Sequence, residues 1–222
     1  MRRGIFITLE GIDGTGKSTQ LRLLVRHLRR CGYNVRATRE PGGTRVGERI
    51  RSILLASATG AIAPLAELTL MYAARAQHLE EVVRPALARG EVVVSDRYND
   101  ASLAYQGYGR RLGEEIVRAF DQIVCAGTRP DLTIVLDLEP RVALARAQGR
   151  ETRRNSRRGR FESQGLKFHA RVRDGYLAIA RRDRRRVKVV RADRPVEEVQ
   201  GEIRKLVDTF LARRSRRDST KF

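Results

Sequence analysis

The chain has 222 residues, 41% of them hydrophobic, and a formal net charge of +20. This length suits one well-buried domain, and no apolar run reaches the roughly 20 residues that a membrane-spanning helix needs. The charge favours polyanionic partners, although the strong preference for arginine over lysine also fits a compositional bias or a heat-adapted source. Because no short apolar signal segment precedes the first apolar run, we expect a cytoplasmic protein.

Apolar runs typical of buried strands alternate along the chain with stretches typical of helices. In chain order we predict a strand at 5–9, a helix at 19–30, a strand at 34–38, helices near 45–57 and 64–89, a strand at 92–95, a helix within 113–126, strands at 132–136 and 187–190, and a helix at 196–213. This alternation predicts an α/β fold, a parallel sheet with helices on both faces. Ligands of such sheets bind beyond the carboxyl ends of the strands.

The sequence indicates one domain over 1–214, without repeats or a long linker. The segment 149–160 contains many arginines and lacks helical periodicity, so we predict a mobile loop there. The residues 215–222 are polar and basic and are predicted to be a flexible tail.

The residues between the first strand and the first helix form a glycine-rich loop. They are Gly11, Ile12, Asp13, Gly14, Thr15, Gly16, Lys17 and Ser18, and they fit the pattern GxxxxGK[ST] in its required strand–loop–helix context. Such a loop points backbone N–H groups at an anion, and the helix N-terminus adds partial positive charge. We expect Lys17 to reach the β- and γ-phosphates of ATP and Ser18 to hold Mg²⁺. Thr19 completes the predicted ATP-binding set.

Three further motifs lie in or after the predicted strands. The second strand leads into Thr38-Arg39-Glu40-Pro41-Gly42-Gly43-Thr44, the third is followed by Asp96-Arg97-Tyr98, and Ala104-Tyr105-Gln106-Gly107 comes shortly afterwards. In this order and spacing, together with the glycine-rich loop, they resemble the thymidylate kinase family over about residues 4–210. The resemblance implies a P-loop kinase fold with a five-stranded parallel sheet, a homodimer, and Mg²⁺-dependent transfer of the ATP γ-phosphoryl group to dTMP.

The resemblance assigns the phosphate end of the acceptor site to charged side chains. Arg97 would clamp the acceptor phosphate through two parallel hydrogen bonds, which lysine cannot form. Asp96 would order Mg²⁺ through water, because Mg²⁺ keeps much of its hydration. Asp13 would meet the deoxyribose 3′-hydroxyl or the water around the metal. Glu40 would support Arg97 or the metal shell, with capping of the next helix as the alternative.

The base end of the site follows from donor and acceptor chemistry on a helix that resembles the thymine-binding helix of the family. Arg75 has only donors, so it suits the 4-carbonyl of thymine and would reject the cytosine amine. Ser102 and Gln106 are candidates for the N3–H and 2-carbonyl side of the ring. Tyr105 would lie against the sugar and crowd a ribose 2′-hydroxyl, with plain core packing as the alternative.

Two positions depart from the family pattern. Met71 stands where a phenylalanine usually stacks on thymine, and Ala101 replaces the first of two serines. Methionine contacts a ring less specifically than phenylalanine, and the neighbouring Tyr72 is a candidate to compensate. Both departures concern base selectivity and leave the chemistry of phosphoryl transfer intact.

An arginine-rich lid is expected to supply the catalytic cation. The family carries that cation either in the phosphate loop or in the lid, and Gly14 occupies the loop position here. A closing lid neutralises charge and excludes water during phosphoryl transfer. We predict the lid at about 147–161, with Arg150 and Arg160 as its catalytic arginines beside Lys17 and Arg97.

Two other functions remain open from the sequence. A kinase for another nucleotide or nucleoside, such as dUMP, would share most of these motifs, although Arg97 favours an acceptor that already bears a phosphate. A nucleic-acid-binding ATPase would explain the charge. However, the third strand ends in Ser95-Asp96-Arg97 and lacks the Asp-Glu pair of such enzymes, and no basic segment is interleaved with aromatic residues. We therefore expect no membrane or nucleic-acid partner.

Overall fold

The computed structural model describes residues 4–56, 59–154, 161 and 164–219. Five strands form one sheet, namely β1 (Ile5–Glu10), β2 (Val35–Arg39), β3 (Val92–Asp96), β4 (Leu132–Asp137) and β5 (Val187–Arg191). Their order across the sheet is β2-β3-β1-β4-β5, and all neighbours are parallel. The predicted parallel sheet is confirmed, and each strand end lies within one residue of its predicted position.

Helices of very different length connect the strands. They are α1 (Lys17–Arg30), α2 (Arg45–Leu55), α3 (Pro64–His78), α4 (Arg84–Ala88), α5 (Asn99–Ser102), α6 (Glu114–Phe120), α7 (Pro140–Arg154), α8 (Leu166–Arg182) and α9 (Val196–Ser219). Wider π-helical segments join α3 to α4 and extend α5 and α6, over Leu79–Val83, Leu103–Gly109 and Asp121–Cys125. Pro85 has no N–H for the turn before it, which accounts for the first of these segments. None of the described helices is both long and apolar enough to cross a membrane.

The direction of the chain across the sheet decides which face each helix covers. The chain first crosses from β1 to the edge strand β2 through α1, and then it moves the opposite way through β3 and β4 to β5. Because parallel crossovers are right-handed, α1 covers one face, and the helices from α2 to α8 cover the other. The last helix, α9, packs beside α1. Helices therefore cover both faces, as predicted.

The central strands are apolar at consecutive positions because both of their faces are covered. Phe6, Ile7, Val93, Val94 and Ile134 have no exposed surface. This buried sheet fixes the loops at the carboxyl ends of β1, β2 and β3, which carry the phosphate loop, Glu40 and Arg97.

Two predictions about irregular segments were wrong within the described residues. Helix α7 continues to Arg154, so the predicted loop at 149–160 is helical over its first six residues, and 155–160 lie outside the described residues. Ala143 and Ala147 are buried on the inner face of α7, and this packing outweighs the helix-breaking tendency of Gly149. Helix α9 likewise continues to Ser219, beyond the predicted end at 213.

Helix α8 was not predicted, although its pattern is amphipathic. Phe168, Val172, Tyr176 and Ile179 are buried at helical spacing. The helical period of these apolar residues was not recognised in the sequence, because arginines stand between them. The helix is important for the site, because Tyr176 reaches the carboxyl ends of the central strands.

Candidate active site

The glycine-rich loop lies between β1 and α1, as its context predicted, and it curls around Lys17. The Lys17 Nζ donates to the carbonyl oxygens of Gly11 and Ile12, at 2.9 Å each. Burial lowers the pKa of Lys17 to about 8. Thr15 Oγ1 donates to the Ile12 carbonyl, and the backbone N–H of Thr19 donates to the carbonyl of Gly16 at the start of α1. These bonds hold the loop in a closed curve around an ammonium group.

The two residues predicted near the metal lie side by side. Ser18 Oγ, on the first turn of α1, donates to Asp96 Oδ2, at the end of β3, over 3.2 Å. A hydroxyl and a carboxylate at this separation form a donor set of hard oxygens, which suits Mg²⁺ together with water and phosphate oxygens.

Gly14 leaves no space for a side chain in the loop. Its φ of 89° belongs to the left-handed region, and a Cβ at this position would overlap the carbonyl oxygen of Ala143 in α7. Because backbone conformation and space both exclude a side chain, the loop cannot carry a basic residue here.

We expect Gly14→Ala to lower the thermal stability markedly more than Gly32→Ala does. Gly32 has a similar φ of 84° at the end of α1, but a Cβ there meets nothing within 4 Å, so the control variant measures backbone strain alone, about 1 kcal/mol. The clash with α7 should add a further ~1–3 kcal/mol. Thermal unfolding followed by circular dichroism measures both variants, and equal losses would contradict the close approach of α7.

Arg97 follows β3 with a φ of 75° and is held by four hydrogen bonds. Its Nη1 donates to the Gly11 carbonyl at 3.0 Å and to the Tyr176 hydroxyl at 3.1 Å. Its Nη2 donates to Asp13 Oδ1 at 2.7 Å and to the Tyr105 hydroxyl at 3.0 Å. The guanidinium also lies 4.7 Å from the centre of the Tyr105 ring. Arg97 is thereby directed toward the phosphate loop.

Asp13 lies between two cations. Its Oδ1 is 2.7 Å from Arg97 Nη2 and 3.9 Å from Lys17 Nζ. Burial alone would raise the pKa of Asp13, but Arg97 and Lys17 lower it to about 2. The carboxylate is therefore ionised at neutral pH and can accept a hydrogen bond from a hydroxyl group.

Glu10, the last residue of β1, is a site residue that the sequence analysis missed. Its side chain is fully buried, with Oε1 accepting from the Tyr98 N–H at 2.8 Å and Oε2 accepting from the Tyr176 hydroxyl at 2.9 Å. Burial and the nearby Asp100 raise the pKa of Glu10 to about 8. Because Tyr176 donates to Glu10, its oxygen lone pairs are free to accept from Arg97. The available signal was a glutamate at the end of a strand that is apolar apart from Thr8.

Glu40 supports Arg75, and the predicted role beside Arg97 is wrong, whereas the predicted role in the metal shell stays a prediction. Its Oε2 accepts from Arg75 Nε at 2.7 Å, and its Oε1 lies 2.8 Å from His78 Nδ1. Burial would raise the pKa of Glu40, but Arg75 and His78 lower it. The alternative of a helix cap is also wrong, because the Thr44 side chain caps α2. The sequence could not reveal that the Glu40 side chain turns toward α3.

The guanidinium of Arg75 is buried and only partly paired. Its Nη2 donates to the Tyr98 carbonyl at 3.0 Å and to Ser102 Oγ at 2.9 Å. Its Nη1 is buried without a hydrogen-bond partner among the described residues. A buried donor of this kind costs free energy unless an acceptor meets it.

A cavity beside the phosphate loop brings together every residue predicted for the acceptor site. These residues are Asp13, Glu40, Met71, Arg75, Arg97, Ser102, Tyr105 and Gln106. Tyr72 is not among the lining residues. It is 1% exposed, and its hydroxyl donates to Asp121 Oδ1 at 2.7 Å. The prediction that Tyr72 compensates for Met71 is therefore wrong, because the neighbouring helical position faces the core.

The amide of Gln106 has a fixed orientation. Its Nε2 donates to Glu67 Oε1 at 2.8 Å, and the buried Glu67 is also paired with Arg110 at 2.9 Å. Since the amide nitrogen faces a carboxylate, Gln106 Oε1 is left as the acceptor. Glu67 was not identified from the sequence, where it resembles an ordinary helical glutamate.

Several lining residues were also not assigned to the site from the sequence. They are Pro41, Arg51, Leu55, Tyr98, Ala101 and Phe161. Arg51 adds a third cation to the cavity and donates to the Pro41 carbonyl at 2.9 Å. Arg51 is one of three arginines on α2, and nothing in so arginine-rich a sequence distinguished it from the others.

The two predicted lid arginines cannot be located from the described residues. Arg150 is in α7, but its side chain, like the whole of Arg160, lies outside them. The adjacent Phe161 does reach the cavity. Its ring packs edge-on against Tyr105, with 5.7 Å between the ring centres, and its carbonyl lies 3.2 Å from His169 Nε2.

Comparisons with known proteins identify relatives that match nearly the whole chain. The family described as thymidylate kinase matches residues 9–203. The thymidylate kinase of Symbiobacterium thermophilum is 46% identical over 98% of this chain and 99% of its own length. That of Nitratidesulfovibrio vulgaris is 49% identical over 93% of each chain. The crystal structure of thymidylate kinase from Ehrlichia chaffeensis is similar with a TM-score of 0.75 and 31% identity, over 93% of this chain and 99% of that one.

Proposed function

This chain belongs to the thymidylate kinase family, and from that premise we propose how its two neighbouring sites phosphorylate dTMP to dTDP. The glycine-rich loop holds ATP, the co-substrate, through its backbone N–H groups and Lys17. The cavity beside the loop holds dTMP. Both sites lie at the carboxyl ends of β1, β2 and β3, so the γ-phosphoryl group and the acceptor phosphate meet between them.

The unpaired Nη1 of Arg75 is the observation that carries this proposal. Arg75 lines the cavity, and its buried donor requires an acceptor on the ligand. The 4-carbonyl of thymine meets that requirement, whereas the 4-amine of cytosine would place a donor against a donor. Gln106 Oε1 provides an acceptor for the ring N3–H. Tyr105, with its hydroxyl held by Arg97, faces the sugar.

Positive charge provides most of the catalysis in this proposal. No general base is required, because an acceptor phosphate oxygen is already nucleophilic and the transfer needs positioning and charge neutralisation. Arg97 binds the acceptor phosphate, with Arg51 as a further cation in the cavity. Asp13 accepts from the 3′-hydroxyl. Lys17 binds the β- and γ-phosphates of ATP.

Ser18 and Asp96 are the residues proposed to hold Mg²⁺, Ser18 directly and Asp96 through water. Their adjacent oxygens fit the preference of Mg²⁺ for few protein ligands together with water and phosphate oxygens. When bound, Mg²⁺ neutralises charge on the phosphates. Asp96 orients the Ser18 hydroxyl by accepting its hydrogen bond.

Arg150 and Arg160 remain the proposed catalytic arginines of a lid. The absence of space at Gly14 supports this assignment, because the phosphate loop cannot carry a second cation at that position. The position of Phe161 against Tyr105 is also consistent with a lid whose end returns to the cavity.

A homodimer is proposed from the exposed apolar side chains of neighbouring helices. Helix α3 packs against α2 and against the π-helical segment that follows α6. Together with α6, which contacts the same π-helical segment, these elements expose Ile53, Leu65, Ile116 and Ile123, the last of which is 80% exposed. Exposed apolar side chains on helices in contact with one another favour an interaction surface.

The function is tested by measuring ADP release with Mg-ATP and dTMP, dUMP, dCMP, thymidine or no acceptor. We expect strong turnover with dTMP, weaker turnover with dUMP, and none with dCMP or thymidine. Among these acceptors, dTMP and dUMP present both a 4-carbonyl and a phosphate. Equal turnover of dCMP would contradict the role of Arg75. Turnover without an acceptor would indicate an ATPase.

A further inference from the structure

His78 is fully buried at the end of α3 but does not line the cavity. Its Nδ1 is 2.8 Å from Glu40 Oε1, and its Nε2 is 2.6 Å from Thr38 Oγ1. An ionised carboxylate only accepts, so Nδ1 carries the hydrogen and donates to Glu40. The second nitrogen is held by the Thr38 hydroxyl on β2, which fixes the plane of the imidazole ring.

Glu40 transmits this constraint to Arg75. The two oxygens of one planar carboxylate are used by two different partners, His78 on Oε1 and Arg75 Nε on Oε2 at 2.7 Å. Because the carboxylate group is planar and rigid, a hydrogen bond that fixes the position of one oxygen also fixes the position of the other. A continuous chain of hydrogen bonds, Thr38–His78–Glu40–Arg75, which is buried except at the half-buried Thr38, therefore connects strand β2 to the guanidinium proposed to face the base.

The backbone of Gly43 covers the His78 ring in this chain of hydrogen bonds. Its φ is 79°, and a Cβ there would lie 2.7 Å from His78 Cδ2 and 2.8 Å from Thr38 Oγ1. The loop backbone thus packs directly on the imidazole ring, which only glycine permits. In such an enclosed environment hydrogen bonds are strong, and the loss of one partner leaves the other unsatisfied.

We propose that His78 is a positioning residue for base selection, which acts through Glu40 to hold the Arg75 guanidinium against a 4-carbonyl pyrimidine. The proposal rests on the proposed function. Without His78, the Glu40 carboxylate can rotate about its terminal bond, and the donor of Arg75 loses its fixed direction. Glu40 meets Asp96 of the ATP site through a backbone hydrogen bond of 2.9 Å, which a side-chain substitution at His78 leaves in place, so the ATP site should be unaffected.

The test compares His78→Leu with His78→Asn. Leucine fills part of the ring volume without a donor, whereas asparagine places an amide N–H near the position of Nδ1. We expect His78→Leu to raise KM for dTMP roughly tenfold, with kcat and KM for ATP within about twofold of the wild type. The inhibition constant of dCMP, which offers no 4-carbonyl, should change by less than about twofold. His78→Asn should recover most of the affinity for dTMP.

His27→Asn is the matched control, because His27 pairs with Asp208 on the exposed side of α1 and should leave every constant unchanged. Parallel increases in KM for dTMP and in the inhibition constant of dCMP would overturn the proposal, since a merely structural role affects both ligands.

If His78→Leu does not fold, Thr38→Val removes only the hydroxyl and should shift KM for dTMP in the same direction by a smaller factor. An unchanged KM there would equally overturn it. A wild-type enzyme inactive with dTMP would instead contradict the proposed function.

Discussion

Replacement of Arg97 by lysine is expected to lower kcat/KM for dTMP by a factor of roughly 10²–10³. The guanidinium uses both terminal nitrogens, one toward Gly11 and Tyr176 and the other toward Asp13 and Tyr105. A lysine ammonium has three donors and no planar fork, so it cannot reproduce these four bonds or exchange two of them for two parallel bonds to a phosphate. A catalytic deficit should follow although the charge is conserved.

The fold should tolerate this substitution. Lysine meets the same backbone strain as arginine at a φ of 75°, and the strands on both sides are unchanged. Arg214→Lys is the matched control, because Arg214 also pairs with a carboxylate, Asp131, at 2.9 Å, but at the amino ends of the strands. Steady-state kinetics with varied dTMP and circular dichroism on both variants provide the comparison. A kcat/KM within about threefold of the wild type for Arg97→Lys would exclude a bidentate phosphate contact.

The parts of the site that could be predicted are those which depend on local sequence and on strand order. The phosphate loop follows from glycine spacing between a strand and a helix, and the parallel sheet collects the loops after β1, β2 and β3 at one edge. Each acceptor-site residue inferred by resemblance accordingly lines one cavity. Their individual roles in binding remain predictions.

The parts that could not be predicted depend on which way a side chain turns in three dimensions. Glu40 and Arg97 both follow strands, but Glu40 turns toward α3 and pairs with Arg75. Tyr72 is different, because the rotation of about 100° per helical step already argued from the sequence against a place beside Met71, and the side chain does point into the core. His78 and Glu10 give no sequence signal of their partners, since those partners are far away in the chain.

The titration of Glu10 gives the second prediction with a large expected effect. The pKa of this carboxyl is raised from 4.5 to about 8 by burial and by Asp100. Between these two values the folded protein holds a proton that the unfolded chain has lost. The contribution of Glu10 to the free energy of unfolding is therefore complete below pH 4.5 and is lost as the pH rises through 8.

Glu10→Gln separates this contribution from the other titrating groups. Glutamine is neutral at every pH. The free energy of unfolding of the variant should therefore increase relative to that of the wild type as the pH rises from 5 to 9. The gain should be on the order of 4 kcal/mol, since each pKa unit corresponds to about 1.4 kcal/mol. Urea unfolding at several pH values measures the difference, and a constant difference across this range would mean that Glu10 titrates near its ordinary pKa.

Lys17 must be controlled, because in the folded protein its pKa lies close to that of Glu10 and its charge interacts with that carboxyl. Burial lowers the pKa of Lys17 from 10.5 to about 8, so its contribution to stability grows between about pH 8 and 10.5, directly above the range in which that of Glu10 is lost. The Glu10→Gln comparison should therefore be repeated in a Lys17→Met background. A gain that persists there belongs to Glu10 alone. It would mean that the carboxyl which orients Tyr176, and through it Arg97, stays protonated up to about pH 8 because burial disfavours its charged form.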